Sequence, residues 1–135
     1  VAELAPRIWQ VIDDAPVVTA VTHKDADGDT LGSALALALA LEPIGKSVPV
    51  VSSPPVPGAW WFLPGIERVN RQAPPAGTPV FIFDASDASR AGIYEPVVTQ
   101  ASTVVNVDHH VSNARFGTFN LVLTDAASTG ELVYD

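Results

Sequence analysis

Val104-Val105-Asn106-Val107-Asp108-His109-His110 begins as a strand and ends as chemistry. Its first four residues read as a strand buried in a parallel sheet, where both faces are covered and apolar residues run nearly unbroken. An acid and two imidazoles then follow with no spacer. The sequence holds only three histidines, and the third, His23, closes another apolar run, Val17-Val18-Thr19-Ala20-Val21-Thr22. A third run, Val80-Phe81-Ile82-Phe83, stops on Asp84. Three predicted strands therefore end on residues able to bind a metal. In open α/β sheets, ligands collect at the carboxyl ends of the strands. The pattern predicts a two-metal site.

The remaining segments supply the helices such a sheet needs. Glu3 to Ile12 has near-helical apolar spacing, with Pro6 in its first turn. The polar loop His23 to Ser33 runs into a predicted helix, Leu31 to Glu42. That segment alternates Leu with Ala, but both are strong helix formers, and Pro43 and Gly45 punctuate its end. Being apolar nearly all round, it is expected to be covered on both faces. Ser47 to Val51 is a further strand, and a Pro-rich connection leads to Trp60-Trp61-Phe62-Leu63. This aromatic cluster is expected to form a short helix packed on the core; stacking on a base is the other reading. Val80 to Phe83 precedes a helix reaching about Gln100, with Asp87 as its cap. Thr103 to Val107 and Thr118 to Leu123 are the last strands, and Ser128 with Glu131 has capping-box spacing before a terminal helix. The expected fold class is α/β: three layers, a mostly parallel five-stranded sheet with helices on both faces, Rossmann-like, in strand order 2-1-3-4-5.

One domain is the natural count for 135 residues, and 47% apolar residues suffice for a core. The formal charge is −8, and Asp25, Asp27, Asp29, Asp84, Asp87 and Asp108 all lie near strand ends. Acids packed so closely repel unless cations are present. The basic residues are scattered singly, so no stripe tracks a long nucleic acid. There is no cysteine, no signal peptide and no apolar run approaching the about 20 residues of a membrane span; a cytoplasmic location is expected. The chain starts at Val1 without any methionine and stops inside a nascent helix at Asp135, so it is expected to be part of a longer protein.

Within the first loop, Gly28 lets the backbone turn between Asp27 and Asp29, so their carboxylates reach two different ions. Asp29 as a simple helix cap is the competing reading. Asp84 has two oxygens and can bridge an ion pair about 3.5–4 Å apart. His109 and His110, being adjacent, are expected to diverge, one as a ligand and the other as a phosphate donor or proton carrier. Asp108 either ligates or orients an imidazole. Arg90 and Arg115 are candidates to neutralise phosphate charge, and Asn113 either binds substrate or braces the loop after His110. Carboxylates and imidazoles without sulfur suit Mn²⁺ best, with Mg²⁺, Co²⁺ or Zn²⁺ possible.

Asp108-His109-His110 is the signature of the DHH phosphoesterase superfamily, and the chain resembles its N-terminal catalytic domain. His23, Asp27 and Asp29 followed by Leu31-Gly32-Ser33 match the first motif, and Asp84 matches the second. Asp108 to Asn113, Phe116-Gly117 and Ala127-Ser128-Thr129-Gly130-Glu131 resemble the nanoRNase and pAp-phosphatase branch. Ala26 stands where that branch usually has proline. The resemblance implies one Mn²⁺ on His23, Asp27 and Asp84, a second on Asp29, Asp84 and His109, and His110 on the scissile phosphate. It also implies that residues 1–135 are a catalytic domain truncated at its C-terminal end, lacking the fourth-motif aspartate, the linker and a C-terminal substrate-binding domain. Such a fragment is expected to hold its second metal poorly and to turn over slowly or not at all.

The expected function is metal-dependent hydrolysis of short oligonucleotides or 3′-phosphoadenosine 5′-phosphate (pAp), with a homodimer expected of the full-length protein. A manganese-dependent inorganic pyrophosphatase and a non-catalytic nucleotide-binding module stay open as alternatives.

Overall fold

A computed structural model describes all residues, Val1 to Asp135. Five parallel strands form one sheet: β1 (Thr19–Thr22), β2 (Val50–Val51), β3 (Val80–Phe83), β4 (Val104–Asp108) and β5 (Phe119–Val122). Their order is β2-β1-β3-β4-β5, as expected. Every paired neighbour is parallel. The strand order reverses between β1 and β3, the point at which an open α/β sheet opens a crevice. His23 follows β1 there, and Asp84 follows β3.

The period-two alternation of the strands divides the core. Ala20, Phe81, Phe83, Val105 and Val107 face one side, where they meet α1 (Ala5–Asp14) through Ile12 and α2 (Gly28–Leu41) through Ala34, Leu35, Ala38 and Leu41. Leu132 and Val133 of α4 (Thr129–Tyr134) join that layer. Val21, Val80 and Ile82 face the other side, against Ala91 and Val98. Val98 belongs to α3 (Glu95–Thr99).

Four expectations are corrected. The segment after Asp87 is not one helix to Gln100: it is a run of 3-10 turns, Ala88–Tyr94, broken at Gly92 (φ 62°, ψ −125°), then the five-residue α3 with Pro96 in its first turn. Gly92 takes a left-handed conformation that an L side chain resists, and Pro96 lacks the N–H that a continuous helix would need. Helix α2 is covered on one face only. Its buried residues Leu31, Ala34, Leu35, Ala38 and Leu41 follow helical spacing, while Leu39 is 42% exposed. Strand β2 is two residues rather than five, because Pro49 has no N–H for the ladder; only its carbonyl is used, by Ala20 N–H at 2.9 Å. Finally, the aromatic cluster meets the core through Leu63 and not as a packed helix. Gly58–Trp60 is a single 3-10 turn, with Trp61 67% and Phe62 75% exposed.

No helix is long and apolar enough to cross a membrane.

Candidate metal centre

Three strand ends deliver the site. His23 is buried just past β1, and its Nδ1–H donates to the Lys24 carbonyl at 2.6 Å. That bond settles the tautomer and turns Nε2 toward Asp27 Oδ1 and Asp84 Oδ2, each at 3.5 Å. His109, just past β4, repeats the arrangement. Its Nδ1–H donates to the Ala126 carbonyl at 3.3 Å, and its Nε2 lies 3.4 Å from Asp84 Oδ1 and 3.6 Å from Asp29 Oδ2. Asp84 thus sends one oxygen toward each histidine. Its backbone is left-handed (φ 62°), a conformation aspartate tolerates better than most residues, and its N–H is held by Val107 O at 2.9 Å.

These distances are too long for hydrogen bonds. They match the roughly 3–3.5 Å that separates two donors each about 2.1 Å from one ion. An Nε2 lone pair facing a carboxylate oxygen is repelled unless a proton or a cation lies between them. Two groups of donor atoms lie within 4.8 Å of one another: His23, Asp27 and Asp84, and Asp84, His109 and His110. The nitrogen and oxygen donors, shared through Asp84 and free of sulfur, fit a pair of hard or borderline divalent cations.

The carboxylates around His23 favour positive charge there, whether carried by a proton or by a cation. Burial alone would lower the pKa of His23, but its interactions with Asp84, the Lys24 carbonyl and Asp27 outweigh burial and raise it. Burial alone would raise the pKa of Asp84, but His23, the Thr129 hydroxyl and His110 hold its carboxyl below the ordinary range.

Asp108 is fully buried and does not face the cation positions. Its Oδ1 accepts from His109 N at 2.8 Å and from His110 Nδ1 at 2.6 Å, and its Oδ2 accepts from Asn113 Nδ2 at 2.7 Å. It orients His110, the second of the two roles considered for it. His110 keeps Nε2 for the cleft that it lines with His23, Asp25, Asp27, Asp84, Ser86 and Arg90, a volume of about 480 Å³. Asn113 is engaged inside the loop: Nδ2 lies 2.8 Å from Asn106 Oδ1, and Oδ1 accepts from Arg115 N at 2.6 Å. It braces the loop. Arg115 is exposed and does not line the cleft; Arg90 does.

The competing reading of Asp29 as the cap of its own helix is not what forms. Asp27 caps α2 by accepting from Thr30 N at 3.0 Å. Asp29 instead caps α4, a hundred residues on, accepting from Thr129 N at 3.0 Å and Gly130 N at 2.9 Å.

Sequence reasoning assigned no role to two threonines. Thr129, fully buried, donates to Asp84 Oδ1 at 2.9 Å. Thr30 accepts from His23 N at 3.2 Å and donates to Phe83 O at 2.8 Å, stitching the end of β1 to the end of β3. Thr129 lies in a motif already singled out; for Thr30 the only signal was its place between Asp29 and the start of the apolar helix.

The sequence model of the DHH family, N-terminal domain, matches residues 17–135. The chain belongs to the DHH family. This DHH domain is 34% identical to the bifunctional oligoribonuclease and PAP phosphatase NrnA of Thermus thermophilus, an alignment covering 96% of this chain and 41% of the relative. Its fold is that of the crystal structure of an exopolyphosphatase-related protein from Bacteroides fragilis (TM-score 0.88, 20% identity, 99% of this chain and 42% of that one). The DHH domain therefore spans about two fifths of the length of each of these two proteins.

Proposed function

We propose that this DHH domain is the catalytic part of a metal-dependent phosphoesterase that hydrolyses short oligonucleotides, pAp or both. The observation that carries the reading is Asp84, whose two oxygens face the Nε2 atoms of two different histidines at 3.5 and 3.4 Å. The substrate class rests on the likeness to NrnA.

His23, Asp27 and Asp84 would hold one divalent cation; Asp84, His109 and Asp29 would hold the second, with Mn²⁺ the best match to the donors and Mg²⁺ or Co²⁺ alternatives. When bound, such a pair lowers the pKa of water and screens the charge of a phosphoryl group. The chain's own residues do the rest. Arg90, on the cleft wall, offers a planar guanidinium to phosphate oxygens. His110 holds or moves a proton at Nε2, because Asp108 occupies Nδ1. The bracing of Asn113 against Asn106 and Asp108 keeps that imidazole in one orientation.

The test is hydrolysis of pAp, dinucleotides and pyrophosphate with Mn²⁺, using the protein with its native flanking sequence, beside Asp84→Ala. Turnover of pAp or dinucleotides that vanishes in the variant is expected. Activity on pyrophosphate alone would establish the pyrophosphatase instead, and nucleotide binding without any cleavage would establish a sensory module.

A further inference from the structure

The cleft beside the candidate metal centre is lined entirely by polar and charged residues. It suits a phosphate and offers a nucleobase no apolar face. With a net charge of −8 and no basic stripe, the domain has little else with which to hold a nucleotide. An aromatic surface adjoins the loop that leads into it. The six-membered ring of Trp60 lies on Gly28, where an added Cβ would be 2.9 Å from Cζ3. Gly28 separates Asp27 from Asp29, so the indole abuts the loop that carries two candidate ligands.

Trp60 belongs to neither core cluster. Phe62 stands beside it with ring centroids 6.4 Å apart and planes tilted by 49°. The segment is anchored on the core through Leu63 and held in shape by its own hydrogen bonds: Trp60 N donates to Pro57 O at 3.1 Å, Leu63 N to Trp60 O at 3.0 Å, and Trp61 Nε1 to Val56 O at 3.3 Å. Trp60, half-buried against Gly28, and Phe62, 75% exposed, set an aromatic pair next to a polar cleft, the kind of surface on which a base stacks.

We propose that Trp60, flanked by Phe62, seats a nucleobase of the substrate while the adjoining cleft holds its phosphate. This rests on the proposed function and adds to it the source of base affinity. Stacking of this kind tolerates any base, because every base presents a π-face.

The test compares two probes, adenosine 5′-monophosphate and ribose 5-phosphate, which differ only in the base. Binding to the protein with its native flanking sequence is measured by calorimetry with Mn²⁺ present. The wild type is expected to favour the nucleotide by about tenfold. Trp60→Leu should collapse that preference, and Trp60→Phe should retain most of it. Should Trp60→Leu not fold, a Trp9→Phe/Trp61→Phe double variant leaves Trp60 as the sole tryptophan of residues 1–135, its emission to be quenched by the nucleotide and not by the sugar phosphate. Undiminished preference in Trp60→Leu, equal binding of the two probes by the wild type, or no differential quenching would overturn the seat while leaving the phosphate site standing. Failure of both probes to bind, with no cleavage of any nucleotide, would overturn the proposed function as well.

Discussion

The hydroxyl of Thr129 donates to Asp84 Oδ1 at 2.9 Å, tying the first residue of α4 to the carboxylate that lies between His23 and His109. Both groups are buried, so no solvent molecule replaces this bond without rearrangement. Valine has nearly the shape of threonine and lacks the donor. Thr129→Val should weaken Mn²⁺ binding by about 10–100-fold, the range seen when a partner of a metal ligand is lost. Thr129→Ser should restore most of it. Calorimetric titration with Mn²⁺ decides; equal affinity in Val and wild type would show that Asp84 is positioned by its backbone alone.

Replacing Asp84 separates charge from backbone shape. Asparagine tolerates the left-handed φ of 62° found at this position, whereas alanine does not. Both Asp84→Asn and Asp84→Ala are expected to abolish Mn²⁺-dependent turnover, with the sheet intact by circular dichroism. The alanine variant should be less stable than the asparagine variant by about 1 kcal/mol in urea unfolding.

Asp108 accepts three hydrogen bonds in a site with no solvent access. In Asp108→Asn, one side-chain oxygen becomes an NH₂ that must point at another donor. The mismatch is expected to cost about 1–3 kcal/mol of stability. His110 should also lose its fixed orientation, so kcat should fall even where the variant stays folded. A variant with wild-type urea midpoint and kcat would rule out the anchoring role.

Asp87 accepts from the N–H of Ser89 at 2.9 Å and from its hydroxyl, opening the 3-10 turns after β3. The hydroxyl bond is the main reason its pKa is lowered. A carboxyl with a lowered folded pKa adds stability above its unfolded value and loses it as the pH falls through the folded one. The carboxylate is largely solvated, so Asp87→Ala should cost only about 0.5 kcal/mol at neutral pH. The gap between variant and wild type should close once the pH drops below the ordinary carboxylate range. A constant gap at all pH values would mean that the charge plays no part.

The strand ends were legible because their signals are local. Val80–Phe83 is a β-branched and aromatic run, Val104–Val107 is a valine run broken only by Asn106, and each stops on a ligand-type residue whatever the rest of the chain does. Parallel strands joined by helical crossovers then bring those ends to one edge. Ligand chemistry was legible for the same reason: an aspartate or histidine declares its donor atoms by its identity.

Tertiary structure decided what those donors do. Residue types alone do not say that Asp29 caps a helix that begins a hundred residues later, that Thr129 steadies Asp84, or that Asp108 turns inward to hold His110. Each depends on the register of distant strands and on which buried group lacks a partner. Trp60, Trp61 and Phe62 differ from expectation in the same way: their hydrophobicity suggested the core, but the folded segment turns Leu63 to the core and leaves Trp61 and Phe62 exposed. Sequence determines which groups are available and where the strands carrying them stop. Only the folded chain, by closing long-range hydrogen bonds and excluding water around some groups and not others, determines which of them meet.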